Sequence, residues 1–186
     1  MVKMIFACDK HTRAIGRGDE LPWHLTDDLK FFKQVTANSI LLCGRKTYQS
    51  LPKLSGRTIY VATKNKDFKA NDKNEIAGVV TDIPSFIRAA KNFPCDVYII
   101  GGATIYSACE PYVDELIITE LTPPNGYMYY GDAKIFDYRL NFQKTDCLNI
   151  KTNIDDNPKS PCYGYRIYIE TYSWKRRVYN KRNRGD

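Results

Sequence analysis

The sequence predicts one α/β domain with a central, mostly parallel β-sheet and flanking helices. Two short apolar runs, residues 40–43 and 97–100, fit fully buried strands, which need only about four to eight residues. Each run passes directly into a helix-compatible segment, and strands that alternate with helices are typical of parallel sheets. Residues 163–172 alternate apolar and polar side chains, which predicts an antiparallel C-terminal strand near a sheet edge.

The other elements follow from the same patterns. Strands are predicted over residues 1–8, 58–63 and 115–120, and helices over residues 45–50, 84–92 and 103–109. Pro84 suits the first turn of its helix, where a missing N–H has no intrahelical partner to lose. No internal repeat or low-complexity linker divides the chain, so its length of 186 residues is most simply one domain.

Composition excludes several classes of protein. The chain is 43% hydrophobic and 26% charged, as expected for a globular domain, and no apolar run approaches the roughly 20 residues that cross a bilayer. Its six cysteines include no C-x-x-C pair, so neither a zinc site nor a compact disulfide framework is predicted. The first apolar run is too short for a secretory signal. These features favour a reduced, cytoplasmic protein without a metal centre.

The net charge of +7 is concentrated at the C-terminus. Residues 173–186 hold six basic side chains against Asp186 alone, a net charge of +5, which leaves only +2 for residues 1–172. We therefore divide the chain into a folded domain, residues 1–172, and a basic tail, residues 173–186. A solvated terminus is the simpler interpretation of this tail, and weak binding to nucleic acid is the alternative.

Two strand–helix junctions contain glycine. Gly44 follows the first buried run, and Gly101 and Gly102 follow the second. Such a turn directs free backbone N–H groups and the positive end of a helix towards one point, which favours a phosphate group. Arg45 and Lys46 add positive charge beside the first junction. The pair of junctions predicts a phosphate-bearing cofactor, although glycines that merely end strands remain the plainer interpretation of each junction alone.

Two adjacent acids, Asp27 and Asp28, stand where a helix is predicted to begin, with Thr26 as its N-cap. At about 100° per residue, Asp28 falls within the apolar arc of this helix, whereas Asp27 points away from it. That arc is formed by Leu25, Leu29, Phe32 and Val35. A favourable position at the positive helix end explains Asp27 but not a carboxylate on the apolar side, so Asp28 is the candidate functional acid.

The order of motifs resembles the dihydrofolate reductase family over about the first 120 residues. The matching residues are Ala14-Ile15-Gly16, Leu21-Pro22-Trp23, Asp28-Leu29 with Phe32, Gly44-Arg45-Lys46-Thr47-Tyr48, Leu54-Ser55-Gly56-Arg57, Ile100-Gly101-Gly102-Ala103-Thr104-Ile105-Tyr106 and Thr119. Beyond Thr119 the resemblance thins, and residues 123–137 differ from the usual short acidic-aromatic motif. The resemblance implies a monofunctional enzyme with a single-domain dihydrofolate reductase-like fold.

The resemblance also implies an activity. A hydride from NADPH would reach C6 of the pterin of 7,8-dihydrofolate and N5 would gain a proton, which yields 5,6,7,8-tetrahydrofolate for one-carbon metabolism and thymidylate synthesis. The family is an antifolate target and needs no metal. Two alternatives are a pyrimidine reductase of the riboflavin pathway and a binding protein that attaches through its basic tail. The favoured oligomeric state is a monomer.

The resemblance assigns roles to individual residues. Those implied in catalysis are Asp28, Trp23, Leu21, Thr119 and Tyr106. Those implied in substrate binding are Ala7, Cys8, Asp28, Phe32, Leu54, Arg57, Ile100 and Thr119. Those implied in cofactor binding are Ala7, Ile15, Gly16, Gly44, Arg45, Lys46, Thr47, Thr63, Lys64, Ile100, Gly101, Gly102, Ala103, Thr104, Ile105 and Tyr106, with a cis peptide between the two consecutive glycines.

Overall fold

The computed structural model describes residues 1–178 and contains ten strands and four α-helices. The strands are β1 (Val2–Asp9), β2 (Ala14–Gly16), β3 (Ile40–Gly44), β4 (Thr58–Ala62), β5 (Gly78–Val80), β6 (Val97–Ile99), β7 (Glu115–Thr122), β8 (Ala133–Lys134), β9 (Phe142–Ile154) and β10 (Arg166–Arg176). The helices are α1 (Thr26–Val35), α2 (Arg45–Ser50), α3 (Ile83–Ala90) and α4 (Ala103–Cys109), and a 3-10 turn spans Glu110–Tyr112.

Eight strands form one sheet in the order β5-β4-β3-β6-β1-β7-β10-β9. The six strands from β5 to β7 are parallel to their neighbours, and β10 pairs antiparallel with both β7 and β9. The predicted fold class, a mostly parallel sheet with an antiparallel C-terminal strand, is therefore confirmed. From β1 the chain passes to β3 on one side of this central strand, and later from β6 on that side to β7 on the other. Connections that diverge in this way open a crevice at the carboxyl ends of the strands.

Strand β9 was not predicted from the sequence. Its 13 residues are almost all exposed on both faces, including Leu148 and Ile150, so its side chains lack the alternation that reveals a half-buried strand. Pairing with β10 over most of its length holds it at the sheet edge. A short second sheet of β2 and β8 was missed because neither strand exceeds three residues, too few to show a period.

Three apolar clusters pack on the sheet. The first lies under α3 and α4 and includes Met4, Phe6 and Ile87, while the second lies under α1 and α2 and includes Ile5 and Tyr48. The third, which we call the loop cluster, consists of Trp23, Leu25, Leu121, Tyr129, Cys162, Ile167 and Ile169. It joins loops that are far apart in the sequence, and it lies beside the crevice.

Helix α1 begins as predicted but is capped differently. Its N-cap residue is Leu25 rather than Thr26, and no side chain caps the first turn. Leu29 is 36% exposed, so the buried part of the helix face is narrower than the predicted arc. Phe32 and Val35 pack on the second cluster, and Leu25 is buried in the loop cluster. The start of α1 is therefore fixed by the buried Leu25 side chain and not, as predicted, by a hydrogen bond from the Thr26 side chain.

The predicted boundary at residue 173 is wrong for the first part of the basic tail. Strand β10 continues to Arg176, and Ser173 and Trp174 are buried in it. The Arg176 guanidinium donates to the Val113 carbonyl oxygen over 3.0 Å and forms an ion pair with Glu110. Residues 179–186 lie outside the described residues. Among residues 1–178, no helix is long and apolar enough to cross a membrane.

Truncation should separate the strand from the remainder of the tail. A chain that ends after Val178 keeps every β10 contact named above, so we expect its unfolding free energy and turnover to equal those of the full chain. A chain that ends after Trp174 loses the hydrogen bonds of Arg176 to Glu110 and Val113, at a cost of about 2 kcal/mol or more. Urea unfolding of both truncations checks this, and equal stability of the two would contradict the role of Arg176.

Candidate active site

The candidate site lies at the carboxyl ends of the parallel strands. Ala7 near the end of β1 pairs with Thr119 of β7, and Gly44 ends β3 beside the junction that follows β6. Parallel strands present their carboxyl ends at one edge, where open α/β sheets bind their ligands. The fold thus brings together residues that lie far apart in the sequence and that the family resemblance assigned to one site.

Asp28 is held in the first turn of α1 against β7. Its carboxyl group is half-buried, and burial raises its pKa from the ordinary value near 3.8 to about 6, partly offset by a hydrogen bond from the Thr119 hydroxyl. The buried Thr119 Oγ1 also lies 3.0 Å from Thr171 Oγ1 of β10. Thr171 was missed by sequence reasoning, because its proximity depends on the pairing of β10 with β7.

Asp27 lies in a different environment. Its carboxylate accepts a hydrogen bond from Lys30 Nζ over 3.3 Å, and its backbone N–H donates to Asn153 Oδ1 of β9 over 3.3 Å. Both contacts place it at the protein surface rather than in the crevice. The predicted difference between Asp27 and Asp28 is thus present in the geometry.

A small cavity connects Asp28 with the segment before the helix, which we call the active-site loop (residues 17–25). Leu21, Trp23, His24, Leu25 and Leu29 line this cavity together with Asp28. Trp23 is 2% exposed, whereas Leu21 is 42% exposed at the tip of the loop. The cavity therefore has one buried wall and one wall that solvent can reach.

Residues of the loop after β7 hold the active-site loop from outside. The backbone N–H of Gly18 donates to Asp132 Oδ1 over 2.8 Å, and this bond holds the pKa of Asp132 below its usual range. Backbone bonds between Arg17 and Glu20 close the same part of the loop into a turn. Asp132 was not among the predicted site residues, although it lies within residues 123–137, where the resemblance thins.

The apolar walls of the crevice come from α1 and the segment after α2. Phe32 and Leu54 both pack on the second cluster, and Leu54 is 5% exposed. The Leu54 backbone N–H donates to Asn74 Oδ1 over 2.8 Å, and Asn74 Nδ2 donates to the Pro52 carbonyl oxygen over 3.0 Å. Asn74, which sequence reasoning missed, is 7% exposed and fixes this wall.

Arg57 is oriented by two backbone carbonyl groups. Its Nη1 donates to the Ser55 carbonyl oxygen over 2.7 Å, and its Nη2 donates to the Lys33 carbonyl oxygen near the end of α1. Its buried Nε has no hydrogen-bond partner within residues 1–178. A guanidinium held in this way keeps N–H groups for a planar acceptor such as a carboxylate.

The Cys8 side chain points away from the crevice, so the predicted substrate contact of Cys8 would have to be made by its backbone. Successive strand residues point to opposite faces of the sheet, and Ala7 is on the crevice side. The Cys8 thiol is buried in the first cluster 3.9 Å from the Tyr138 hydroxyl, and burial raises its pKa to about 12. Alternation along β1 could have identified this from the sequence.

The two glycine junctions lie against each other. The Gly44 backbone N–H donates to the Gly101 carbonyl oxygen over 2.7 Å, and the Gly101–Gly102 peptide bond is cis, as the resemblance implied. A Cβ on Gly44 would lie 2.9 Å from Ile105 Cγ1, and Gly101 has a φ of +113°, with the Tyr106 ring 3.1 Å from where its Cβ would be. Both positions therefore require glycine, because Ile105 and Tyr106 of α4 pack directly against these two backbones.

The helices that follow these junctions present donors and charge. Neither α2 nor α4 has a side-chain cap, so first-turn N–H groups of Arg45, Lys46 and Thr47 in α2, and of Ala103 and Thr104 in α4, face the junctions. Arg45 and Lys46 are exposed. This combination of close glycine backbone, uncapped helix ends and two cations fits the pyrophosphate and phosphate groups of a dinucleotide.

The remaining predicted cofactor residues surround the junctions. Tyr106 is 5% exposed and donates from its hydroxyl to the Ile5 carbonyl oxygen over 2.9 Å, while burial raises its pKa. Ile100 donates its N–H to the Leu42 carbonyl oxygen, which places it between the two buried strands. The others are Ile15 and Gly16 in β2, and Thr63 and the exposed Lys64 directly after β4.

Comparison with known proteins identifies the family. The sequence profile described as dihydrofolate reductase matches residues 1–167. The chain belongs to the dihydrofolate reductase family. The dihydrofolate reductase of Bacillus subtilis (strain 168) is 35% identical over 178 residues, 94% of this chain and 98% of the relative. The dihydrofolate reductase of Mycoplasma pneumoniae is 37% identical over 123 residues, 65% of this chain and 76% of the relative.

A solved structure has the same fold. Dihydrofolate reductase from Enterococcus faecalis, complexed with NADP(H) and RAB-propyl, superposes with a TM-score of 0.75 at 25% sequence identity and covers 96% of this chain and 97% of its own. Dihydrofolate reductases are oxidoreductases that reduce dihydrofolate with NADPH, and this chain is an enzyme of that class. The riboflavin-pathway alternative is thereby set aside.

Proposed function

We propose that Asp28 is the acidic residue through which this dihydrofolate reductase binds the pterin ring and favours its protonation at N5. The observation that carries this proposal is a half-buried carboxyl group, with a pKa raised to about 6, in the cavity beneath Leu21 and Trp23. Beside Thr119, it would accept hydrogen bonds from the 2-amino and N3 edge of the pterin. The test is the rate at which NADPH absorbance falls in the presence of dihydrofolate, compared between the wild type and Asp28→Asn.

The other substrate contacts follow from the walls of the crevice. Phe32 and Leu54 would hold the pterin and aminobenzoyl rings between two apolar surfaces, and Ala7 and Ile100 would close the inner end. Arg57, already oriented by two carbonyl groups, would form a bidentate hydrogen bond with the glutamate α-carboxylate. A fixed orientation of both ends of the substrate lowers the entropy that must be lost to reach the transition state.

The cofactor would lie along the two glycine junctions. When bound, NADPH supplies the hydride that reduces C6 of the pterin. Gly44, Gly101 and Gly102 would let the cofactor approach the protein backbone closely, and the first turns of α2 and α4 would donate N–H groups to its pyrophosphate. Tyr106, Ile15 and Ala7 would line the nicotinamide pocket. Leu21 and Trp23 of the active-site loop would exclude water from the reacting rings.

Cofactor selectivity is expected to depend on Arg45, which is exposed near Thr63 and Lys64 at the neighbouring strand end. Arg45→Ala should lower kcat/KM for NADPH by about 10-fold, since hydrogen bonds to charged groups are worth about 1.5–3 kcal/mol, and should leave NADH little changed. Steady-state assays with both cofactors at two salt concentrations measure this. Lys151→Ala, which removes an exposed cation of β9 at the far sheet edge, is the control. Equal preference for both cofactors in the wild type would reject the assignment.

We further infer a monomer in the cytoplasm. The near-neutral charge of residues 1–172 and the placement of Ser173–Arg176 in a strand support a globular enzyme rather than a protein that attaches through a basic tail. Sedimentation at assay concentration gives the oligomeric state. Retention on heparin by the full chain, but not by the chain ending after Val178, would assign nucleic-acid-like binding to residues 179–186.

A further inference from the structure

A carboxylate outside the crevice is completely buried in the loop between β9 and β10. Asp155 accepts four hydrogen bonds: from the His24 backbone N–H over 3.1 Å, the Tyr129 hydroxyl over 2.7 Å, the Ser160 hydroxyl over 2.6 Å and the Asn157 backbone N–H over 3.1 Å. No cation pairs with it within residues 1–178. A buried carboxylate without a cation needs such donors, so its position is strongly determined by them.

Tyr129 extends this arrangement to the first strand. Its backbone N–H donates to Asp9 Oδ2 over 2.9 Å at the end of β1, and its fully buried ring packs on Trp23 with the ring centroids 5.0 Å apart. Burial and the neighbouring Asp155 raise the pKa of Tyr129, so its hydroxyl remains a donor. Tyr129 thus connects Asp9, through its backbone, with Asp155, through its hydroxyl, and its ring lies between them against Trp23.

Tyr129 and Asp155 hold one end of the active-site loop. Asp155 binds the backbone of His24, the residue after Trp23, while Asp132 binds Gly18 near the other end. Between these points, Leu21 is exposed. The loop is therefore fixed at both ends and exposed in the middle, and the end at Trp23 depends on contacts with residues more than 100 positions later in the sequence.

We propose that Tyr129 and Asp155 are positioning residues for catalysis, which hold Trp23 in the wall of the cavity that contains Asp28. The plainer role is support of the fold alone, since any buried carboxylate must be satisfied. The two roles differ in what they predict for Trp23 and for hydride transfer. The inference rests on the proposed function of Trp23 at the reacting rings.

The chain contains a comparable phenol–carboxylate pair in the first apolar cluster, although its carboxylate, Glu120, also pairs with Arg139 and Lys144. The Tyr138 hydroxyl donates to the buried Glu120 Oε1 over 2.7 Å, and its ring packs on Trp174 with centroids 5.1 Å apart. Tyr129→Phe and Tyr138→Phe therefore each remove one buried phenol–carboxylate bond beside one tryptophan. Both variants should lose stability. Only the Tyr129–Asp155 pair lies at the active-site loop, so only Tyr129→Phe should also affect catalysis.

The experiment uses the full chain labelled with 5-fluorotryptophan, because its two tryptophans then give separate fluorine NMR signals. We expect Tyr129→Phe to move or broaden the Trp23 signal and to lower the single-turnover hydride-transfer rate by about 10-fold, the equivalent of one such hydrogen bond. Tyr138→Phe should alter the Trp174 signal and leave that rate unchanged. Asp155→Asn weakens the same bond together with those from His24, Asn157 and Ser160, so it should lower that rate at least as much as Tyr129→Phe.

Two results would overturn the positioning role. One is a Tyr129→Phe variant that is destabilised as much as Tyr138→Phe but transfers hydride at the wild-type rate with an unchanged Trp23 signal. The other is an equal loss of rate in both variants. Should Asp155→Asn fail to fold, Tyr129→Phe decides alone. Trp23→Phe reports separately on the proposed function, since an unchanged rate there overturns the role of Trp23 itself.

Discussion

Asp28→Asn is expected to lower kcat/KM at neutral pH by about 10²–10⁴, the range for a lost general acid or base. The amide keeps the shape of the carboxyl group but carries no charge to stabilise a protonated pterin. Part of the rate should return as the pH falls, because protons from solution can then protonate the substrate directly. A pH–rate profile of the variant and the wild type measures this. In the wild type, the slope of kcat/KM against pH should change near pH 6, where the pKa of Asp28 lies.

Asp27→Asn is the matched control, since it makes the same chemical change one residue away. Its carboxylate contacts Lys30 at the surface, so we expect little loss of activity and a cost of about 0.3–1 kcal/mol from the helix end. If Asp27→Asn proved the damaging change and Asp28→Asn were silent, the assignment of the functional acid would be wrong.

The substitution Asp28→Asn should also stabilise the protein above about pH 6. The folded-state pKa of Asp28 is raised to about 6 from about 3.8, so its contribution to stability is fully present below about pH 4 and is lost as the pH rises to 6. The neutral amide introduced by the substitution avoids this loss, which amounts to at most about 3 kcal/mol. Urea unfolding at pH 4 and pH 7.5 measures the difference, and a variant less stable than wild type at both values would contradict the burial of the charge.

Arg57→Lys is expected to raise KM for dihydrofolate by about 10- to 100-fold with a much smaller change in kcat. A lysine ammonium cannot reproduce two parallel hydrogen bonds to one carboxylate, and bonds to charged groups are worth about 1.5–3 kcal/mol each. It also cannot span the carbonyl groups of Ser55 and Lys33 that orient the guanidinium. Steady-state kinetics with dihydrofolate measure the effect.

A dihydropterin substrate that lacks the glutamate provides the control for Arg57. Since Arg57 is proposed to bind only the glutamate α-carboxylate, the variant and the wild type should reduce this substrate with the same kcat/KM. An equal loss with both substrates would mean that Arg57 acts by fixing the end of α1 through Lys33 rather than by binding substrate.

Several features of the site were predictable because their signal is local. The apolar runs before Gly44 and Gly101 identified two buried strands, and the glycines after them identified the junctions that lie against each other. The helical spacing of Phe32 and Asp28 placed the acid on the inner side of α1. Such patterns are readable because burial repeats along a single strand or helix with a known period.

Other predictions failed where the local signal was absent or was overridden. Cys8 was predicted to contact substrate, but alternation along β1 turns its side chain into the first cluster and leaves only its backbone for such a contact. Ser173 and Trp174 were assigned to a basic tail by composition, but antiparallel pairing with β7 and β9 extends the sheet to Arg176. Strand β9 has no apolar face and was not predicted at all.

Tertiary structure alone decided which polar groups meet. The contact of Thr119 with Thr171 and the attachment of Gly18 to Asp132 each join segments separated by more than 50 residues. Two of the four donors around Asp155 are likewise distant, since His24 and Tyr129 lie 131 and 26 residues before it. The raised pKa of Asp28 likewise comes from its burial in the folded protein, and the hydrogen bond from Thr119 of β7 partly opposes it. The sequence identifies the acid, but its environment arises only when distant strands pack together, since desolvation and hydrogen bonding depend on three-dimensional proximity.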